Sequence, residues 1–327
     1  MAKTIRWGII GLGNIAQKFA QDLALVKEGE LVAIASRSMD KALNFNKEFN
    51  VAHVFDSYQQ LFTCEAVDVV YIATPHTEHM NWAILAMESG KHVLCEKPMG
   101  VNRKQLTQML ATAKKNNVFL MEALWSRFNP TIRKIKELVA DDSLGTIEYI
   151  HADFAFYALD RAKEGRLLNP NLAGGSLLDI GIYPIFLTYL LLGVPQKITA
   201  RASFHETGAE IQTSMIFDYK NAHALLYSGL TSNSRMQATI SGSKGAVFID
   251  PRWHETEGYT FLNNKEEEHI SLPKVGKGYT YEIEEVHDCI RNNRLQSELW
   301  SHTNSLELIE ILDNIRYQTG ISFPFEV

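Results

Sequence analysis

The sequence predicts an α/β protein with two domains: a doubly wound parallel sheet at the N-terminus, and a C-terminal α+β domain with a large, mostly antiparallel open sheet. The chain has 327 residues, which exceeds the size at which a single hydrophobic core usually keeps growing. Its residues are 46% hydrophobic and 21% charged, so apolar side chains suffice for folded cores. The pattern of apolar runs changes near residue 125, and this change sets the predicted domain boundary.

The N-terminal part alternates short apolar runs with stretches of roughly helix length. From Ile5 to about Met121, the runs are IRWGII, LVAIAS, VDVVYIA, HVLC and VFLM. Buried runs at this spacing are typical of parallel strands that crossover helices connect. We therefore assign residues 1–124 to a doubly wound domain.

The C-terminal part has a different pattern. A helix is predicted across PTIRKIKELVA, and the strand-like runs that follow alternate apolar and polar residues, which indicates an antiparallel sheet with one covered face. The other face is available to solvent or to another subunit. The apolar segment GGSLLDIGIYPIFLTYLLLG is predicted to be a buried helix that Pro184 kinks or begins anew. Residues 125–327 form this second domain, with further helices near YEIEEVHDCIRN and NSLELIEILDNIRYQTG.

Charge and cysteine content exclude several classes of protein. The formal net charge is −6, without a basic run or a stripe of basic and aromatic residues, so neither nucleic acid nor an anionic membrane is an expected partner. Cys64, Cys95 and Cys289 are widely separated and odd in number, which fits neither a disulfide framework nor CxxC metal spacing. No apolar stretch is long enough to span a bilayer. The expected location is the cytoplasm.

The first strand ends in a glycine-rich turn, GLGNIA, with the spacing G-x-G-x-x-A. Gly11 permits the tight turn, Gly13 lets the backbone approach a pyrophosphate, and Ala16 keeps the following helix close to the sheet. Asn14 and Ile15 begin that helix, whose N-terminus attracts negative charge. Such turns also occur for packing reasons alone. The strand before this turn and the helix after it favour a dinucleotide site, and hence a Rossmann domain.

The end of the second strand predicts which dinucleotide binds. NAD enzymes usually place Asp or Glu there to bind ribose hydroxyls, whereas this chain reads IASRSMDKA. Ser36 and Arg37 suit a 2′-phosphate, Ser38 adds a hydroxyl, and Lys41 adds a second positive charge one helical turn later. NADP is therefore the predicted cofactor, with NAD as the alternative if Arg37 is only a solvated surface residue.

A lysine directly follows another apolar strand, in the run VLCEKPM. Ligands of doubly wound sheets bind beyond the carboxyl ends of the strands, so Lys97 is expected beside the nicotinamide, where Pro98 stiffens the turn. Glu96 either orients the lysine or binds nearby backbone. The simpler alternative is a lysine that flanks a strand for solubility, but its position at the strand's end favours a functional role.

A second group of polar residues interrupts the apolar run GGSLLDIGIYP. On a helix, Asp179 and Tyr183 are four residues apart and share one face. With Lys97 they are predicted to form an acid/base group across the domain cleft, where a nearby ammonium makes the phenol a better proton carrier. The alternative is a buried tyrosine with a satisfied hydroxyl and an aspartate that caps a helix.

Four motifs extend over essentially the entire chain: GLGNIA, ATPHTEH, CEKP and GGSLLDIGIYP. With them, in this order, the sequence resembles the Gfo/Idh/MocA oxidoreductase family. The resemblance implies a Rossmann domain, a C-terminal domain whose open sheet supports a homodimer or a higher homo-oligomer, and catalytic roles for Lys97, Asp179 and Tyr183. Many members have His in place of Tyr183, but CEKPMGVN, MEALWSRFNP and LLDIGIYP are most similar to the branch of dihydrodiol and NADP-dependent D-xylose dehydrogenases. Tyr183 is therefore the first choice as general acid or base with Lys97 assisting, and the reverse assignment stays open.

The same resemblance implies further residues of the cofactor groove. These are Thr74, Pro75, His76, His79, Glu96, Trp125 and Arg127. His76 and His79 are three residues apart, a spacing that also suits a metal site, but no further ligands are identifiable and no metal is predicted.

Aromatic residues are predicted to line the substrate pocket: Trp125, Phe154, Phe156 and Trp253. The alternative is that these side chains belong to the hydrophobic core. The expected function is an NADP-dependent dehydrogenase that acts on a CH–OH group of a sugar, cyclic polyol or dihydrodiol. Tyr183 or Lys97 removes the hydroxyl proton while hydride passes from the same carbon to the nicotinamide. The alternative is a regulator that binds NADP(H) without turnover.

Overall fold

A computed structural model of the chain describes residues 3–263 and 265–326. Their contacts form two compact units, the first of Met1–Phe128 with Val275–Leu306, the second of Asn129–Lys274 with Glu307–Val327. The first unit thus includes a segment from the C-terminal part of the chain. The predicted division at residue 124 stays a prediction.

The first unit contains a six-stranded parallel sheet. Its strands are β1 Ile5–Ile10, β2 Gly29–Ala35, β3 His53–Phe55, β4 Val69–Ile72, β5 His92–Glu96 and β6 Leu120–Ala123. The connecting helices are α1 Asn14–Leu23, α2 Met39–Phe49, α3 Tyr58–Thr63, α4 His79–Glu88 and α5 Arg103–Asn116. The strand order is β3-β2-β1-β4-β5-β6, which reverses between β1 and β4 as in dinucleotide-binding sheets. The predicted Rossmann sheet is confirmed.

The second unit contains an eight-stranded sheet, ordered β14-β13-β12-β11-β7-β10-β9-β8. Only β7 and β10 pair in parallel, so the predicted mostly antiparallel sheet is confirmed. The strands are β7 Ile147–Ala155, β8 Lys197–Phe204, β9 Glu210–Asp218, β10 His223–Gly229, β11 Ala238–Gly242, β12 Gly245–Ile249, β13 Gly258–Asn263 and β14 Glu266–Ser271. Counted along the chain after β6, and in either unit, the α-helices are α6 Pro130–Ala140, α7 Ile182–Leu192, α8 Thr280–Arg291 and α9 His302–Thr319.

The two faces of the eight-stranded sheet differ in burial. On β9, Met215 and Phe217 are buried while Ile216 between them is 43% exposed, the alternation of a sheet that is covered on one side. Helix α7 contacts β7 and β10. It is apolar and buried from Ile182 to Tyr189, so the core of this unit lies between α7 and the sheet.

The segment predicted as one buried helix has two geometries. A π-helical turn spans Leu177–Gly181, and α7 begins at Ile182. Pro184 is the third residue of α7. The first four N–H groups of an α-helix have no partner within the helix, so the N–H that proline lacks is not needed there. The α-helix therefore begins anew just before the proline.

No helix within residues 3–263 and 265–326 is both long enough and apolar enough to cross a bilayer.

Candidate active site

The glycine turn after β1 leaves room for a phosphate. Gly11 has φ +80, and a Cβ on it would lie 2.5 Å from the carbonyl of Ala73, so only glycine fits. A Cβ on Gly13 would meet only the Gly11 oxygen, 3.9 Å away. Ala16 is fully buried, and no side chain caps the N-terminus of α1. Open space above Gly13, beside uncapped helix N–H groups, fits a pyrophosphate.

The residues after β2 present positive charge at the surface. Ser36 is buried, and its Oγ accepts from the N–H of Ser38 at 3.3 Å. Ser38 in turn caps α2, because its Oγ accepts from the N–H of Lys41 at 3.4 Å. Arg37 is exposed, and its charge acts on the phenol of Tyr58. Burial raises the pKa of the Tyr58 phenol, and the Arg37 charge opposes that shift.

Tyr58 was not identified from the sequence. It is buried at the start of α3, and the Arg37 charge acts on its phenol. An aromatic residue in SYQQLF carries no sequence signal of this proximity to Arg37, because the proximity depends on how β2 and α3 pack.

His79 joins two of the predicted site loops. The ring is fully buried, with Nδ1 2.9 Å from the Pro98 carbonyl and Nε2 2.9 Å from the Thr74 carbonyl. Burial lowers the pKa of His79, and these two carbonyls oppose the shift. The loop after β4 and the lysine turn after β5 are therefore held together, as the topology predicts for strand ends at a switch point.

The loop after β4 also presents a buried hydroxyl. Thr74 is 8% exposed, and in the part of the chain that the structure describes its Oγ1 has no hydrogen-bond partner. Pro75 precedes a short 3-10 turn that begins at His76. The His76 ring lies 5.7 Å from that of His79. A buried hydroxyl without a partner is costly, and a bound cofactor is a suitable partner for it.

The lysine turn follows the last residue of β5. Glu96 is buried, and its Oε1 accepts a hydrogen bond from the Tyr71 hydroxyl. Burial, together with the Glu96 charge, raises the pKa of Tyr71. Lys97 is half-buried, and its charge acts on both His79 and Glu122. Its partners are therefore in the protein rather than in bulk solvent alone.

Trp125 and Arg127 lie in a buried 3-10 turn after β6. The Trp125 ring stacks on Tyr279 with centroids 4.8 Å apart, and Arg127 Nε donates to the Leu299 carbonyl at 2.8 Å. Asp22 of α1 accepts from the backbone N–H of Tyr279 at 2.9 Å. Both predicted residues are thus packed against the returning segment Val275–Leu306.

In the second unit, Asp179 lies in the π-helical turn and is 6% exposed. Its Oδ1 accepts from Nη1 of Arg166 at 2.7 Å. The Arg166 side chain is 57% exposed. Sequence reasoning missed Arg166, because the loop that carries it has no motif.

Tyr183 is surrounded by aromatic rings. It is 6% exposed, and the rings of Phe154 and His254 each lie 5.5 Å from its own. Phe154 and His254 stack on each other at 4.1 Å. Phe154 also lies 6.4 Å from Phe156. These four rings form a largely apolar aromatic cluster around Tyr183, in which only Phe154 and His254 are stacked and the other pairs are inclined by 43–60°.

Trp253 differs from its neighbour His254. Trp253 is fully buried, and its Nε1 donates to the Asp153 carbonyl at 2.8 Å. It is His254, rather than Trp253, whose ring packs on Phe154 and Tyr183. The predicted role of Trp253 in the substrate pocket stays a prediction. The signal for His254 was weak, since it lay only in adjacency to Trp253.

No group of three or more His, Cys, Asp or Glu residues able to hold a metal ion occurs within residues 3–263 and 265–326. Lys97 and His79 belong to the first unit, whereas Asp179 and Tyr183 belong to the second.

Comparison with known proteins extends these observations over the whole chain. Residues 5–124 match the sequence model described as an oxidoreductase family with an NAD-binding Rossmann fold, and residues 132–248 match the GFO/IDH/MocA C-terminal domain. A trans-1,2-dihydrobenzene-1,2-diol dehydrogenase of Mus musculus is 35% identical over 98% of both chains. A scyllo-inositol 2-dehydrogenase (NADP(+)) of Bacillus subtilis is 33% identical over the same share of each.

Solved structures have the same fold. A 3-ketoreductase of Actinomadura kijaniata, solved with NADP and TDP-benzene, superposes with a TM-score of 0.88 at 24% identity, over 97% of this chain and 98% of its own. At that identity the likeness shows the fold alone.

Proposed function

Because the chain belongs to the Gfo/Idh/MocA family of NAD-binding oxidoreductases, we propose that it is an NADP-dependent dehydrogenase acting on a CH–OH group of a six-membered ring, in a cyclic polyol, sugar or dihydrodiol. The observation that carries this proposal is the full-length similarity to two dehydrogenases, one named for a dihydrodiol and one for scyllo-inositol. Both compounds are six-membered rings with adjacent hydroxyl groups. The aromatic cluster of Phe154, Tyr183 and His254 offers apolar ring faces against which the carbon skeleton of such a ring could pack.

The residues around the glycine turn would hold the cofactor. The open backbone at Gly13 and the N-terminus of α1 would bind the pyrophosphate. Arg37 and Lys41 would bind the 2′-phosphate through charge-assisted hydrogen bonds. When bound, NADP supplies the hydride chemistry that no amino-acid side chain provides. Thr74 would give its hydroxyl a partner on the cofactor.

The protein's own contribution to the reaction is proton transfer. Tyr183 takes the proton of the substrate hydroxyl as its carbon is oxidised, and returns it in the reverse direction. Lys97 assists by stabilising the phenolate, since an ammonium favours a neighbouring anion. Asp179, already paired with Arg166, acts as an acceptor that orients a second substrate hydroxyl.

A substrate panel tests this proposal. NADP reduction is measured with trans-1,2-dihydrobenzene-1,2-diol, scyllo-inositol, myo-inositol, D-xylose and D-glucose, each against NAD. Turnover of at least one ring substrate, faster with NADP, is expected. NADPH binding without turnover on any member would instead support a regulator.

We also propose that the chain forms a homodimer through the open face of its eight-stranded sheet. Phe248, Leu225 and Ile216 lie in one row across β12, β10 and β9, and they are 38–43% exposed. Tyr149 on β7 adds to the same face. Leu225 and Ile216 are adjacent in this row, whereas His151 and Thr239 separate them from Phe248, so the candidate interaction surface is centred on Leu225 and Ile216.

Light scattering on Leu225→Asp tests the dimer. A monomer that keeps the wild-type Tm is expected, and an unchanged mass would contradict the proposal.

A cytoplasmic location fits the three free thiols of the protein.

A further inference from the structure

A buried glutamate on β6 lies directly below the lysine turn. Glu122 is 4% exposed and pairs with Cys95 of β5 in the sheet register, so it is next to the strand that ends at Glu96. It is not part of the acid/base group, and no motif in the sequence singles it out. Burial raises the pKa of the Glu122 carboxyl, and its hydrogen bonds and Lys97 oppose the shift.

Three donors converge on the Glu122 carboxyl. The backbone N–H of Met99 donates to Oε1 at 2.9 Å. Ser305 Oγ donates to Oε2 at 2.7 Å, and Trp300 Nε1 donates to the same oxygen at 3.2 Å. Both side-chain donors come from the returning segment Val275–Leu306, and both are buried. The carboxyl therefore connects that segment to the backbone of the lysine turn.

The peptide group between Pro98 and Met99, directly after Lys97, is held at both of its polar atoms. Glu122 holds the N–H of Met99, and His79 Nδ1 lies 2.9 Å from the carbonyl of Pro98. Fixed backbone on the C-terminal side restricts where the lysine side chain can start. A proton-transfer group needs such restriction, because a displacement of about 1 Å can cost roughly a hundredfold in rate.

We propose that Glu122 is a positioning residue for the reaction: by holding the backbone N–H of Met99, it fixes the turn that carries Lys97. The inference rests on the proposed function, in which Lys97 assists proton transfer. It also assigns a purpose to Trp300 and Ser305, which hold the carboxyl in place.

The geometry requires a carboxylate rather than an amide. The Met99 N–H and the Trp300 indole N–H can only donate, and they point at different oxygens of Glu122. A glutamine at position 122 would direct its NH2 group at one of these donors. Removing the indole N–H relieves this conflict, because the amide NH2 could then face the Ser305 hydroxyl, which is also able to accept.

This reasoning defines a rescue experiment with three full-length variants: Glu122→Gln, Trp300→Phe and the double variant. For each, NADPH binding is measured by fluorescence, Tm by calorimetry, and kcat and KM with trans-1,2-dihydrobenzene-1,2-diol or, if that compound is not turned over, with scyllo-inositol. Glu122→Gln is expected to lower kcat roughly tenfold or more while NADPH affinity changes little. The double variant is expected to have the kcat of Trp300→Phe alone.

Two results would overturn the inference. One is a Glu122→Gln enzyme with a lower Tm and an unchanged kcat, which indicates a purely structural role. The other is a double variant that stays as slow as Glu122→Gln. If Glu122→Gln gives no folded protein, the comparison of the double variant with Trp300→Phe decides, since a kcat well below that of Trp300→Phe contradicts rescue.

The variant Lys97→Met distinguishes a failure of the proposed role of Lys97 from a failure of the inference about Glu122. If this variant keeps full turnover, the proposed role of the lysine fails and the inference fails with it. If Lys97→Met is inactive while Glu122→Gln is fully active, only the inference is overturned.

Discussion

Arg166 donates a hydrogen bond of 2.7 Å from Nη1 to Oδ1 of Asp179, so the buried carboxylate of the π-helical turn has an arginine partner within its own unit. π-helical turns are rare and occur frequently at functional sites. The hydrogen bond holds the Asp179 carboxylate in one orientation, and the half-exposed Arg166 side chain connects this buried group to the solvent.

If Arg166 acts through Asp179, the two residues are energetically coupled. Arg166→Met and Asp179→Asn are each expected to lower kcat/KM by roughly tenfold or more, and the double variant to lose little beyond the larger single effect. Steady-state kinetics of the cycle measure the coupling. Additive losses would mean that the two residues act independently.

The glycine turn offers a matched pair of variants. Gly13→Ala is expected to fold normally, because its Cβ meets open space, yet to weaken NADPH binding about tenfold or more, because the methyl group occupies the position of the pyrophosphate. Gly11→Ala should instead lower Tm, because φ is +80 and the Ala73 carbonyl lies 2.5 Å from the added atom. Titration and calorimetry of both variants check this. Normal NADPH affinity in Gly13→Ala would place the phosphates elsewhere.

Arg37 is expected to select NADP. Arg37→Asp should weaken NADPH binding far more than NADH binding, because it replaces a phosphate partner with a like charge. Tyr58→Phe is the control, since it removes the phenol on which the Arg37 charge acts but keeps the cation. Equal losses for both cofactors in Arg37→Asp would defeat the assignment.

His287 makes the stability of the first unit sensitive to acid. It is buried on α8, and Trp7 Nε1 donates to its Nε2 at 2.9 Å. Burial, with a smaller contribution from Arg291, lowers the pKa of His287 from 6.5 to about 4. Between these values the unfolded chain binds more protons than the folded one, so the free energy of unfolding falls as the pH falls from 6.5 to 4.

The contribution of His287 can be isolated by substitution. His287→Gln keeps an acceptor for Trp7 but does not titrate. Between pH 6.5 and pH 4, the free energy of unfolding of the wild type should fall by up to about 3 kcal/mol more than that of this variant. Urea unfolding at each pH measures the difference. Parallel pH curves for the two proteins would exclude His287 as the source.

Local sequence patterns predicted the parallel sheet, whereas the assignment of individual residues of its glycine turn to the cofactor stays a prediction. Apolar runs separated by stretches of helix length indicate parallel strands with crossover helices, but they do not specify the strand order β3-β2-β1-β4-β5-β6. The change to alternating runs likewise predicted the second sheet with its exposed face.

Contacts between distant segments could not be predicted in the same way. Glu122 meets Trp300 and Ser305 only because the chain returns to the first unit after residue 274. The π-helical turn around Asp179 depends on packing, since a Cβ on Gly181 would lie 2.8 Å from Ser228 Oγ. No periodicity in the sequence encodes either feature.

The central claim, that Tyr183 carries the substrate proton, is tested most directly by the turnover rate of Tyr183→Phe with NADPH affinity measured on the same sample. The substitution removes one oxygen and keeps the ring that packs on Phe154 and His254. We predict a loss of kcat of about a hundredfold or more with unchanged Tm and unchanged NADPH affinity. A variant that turns over substrate at the wild-type rate would contradict the account.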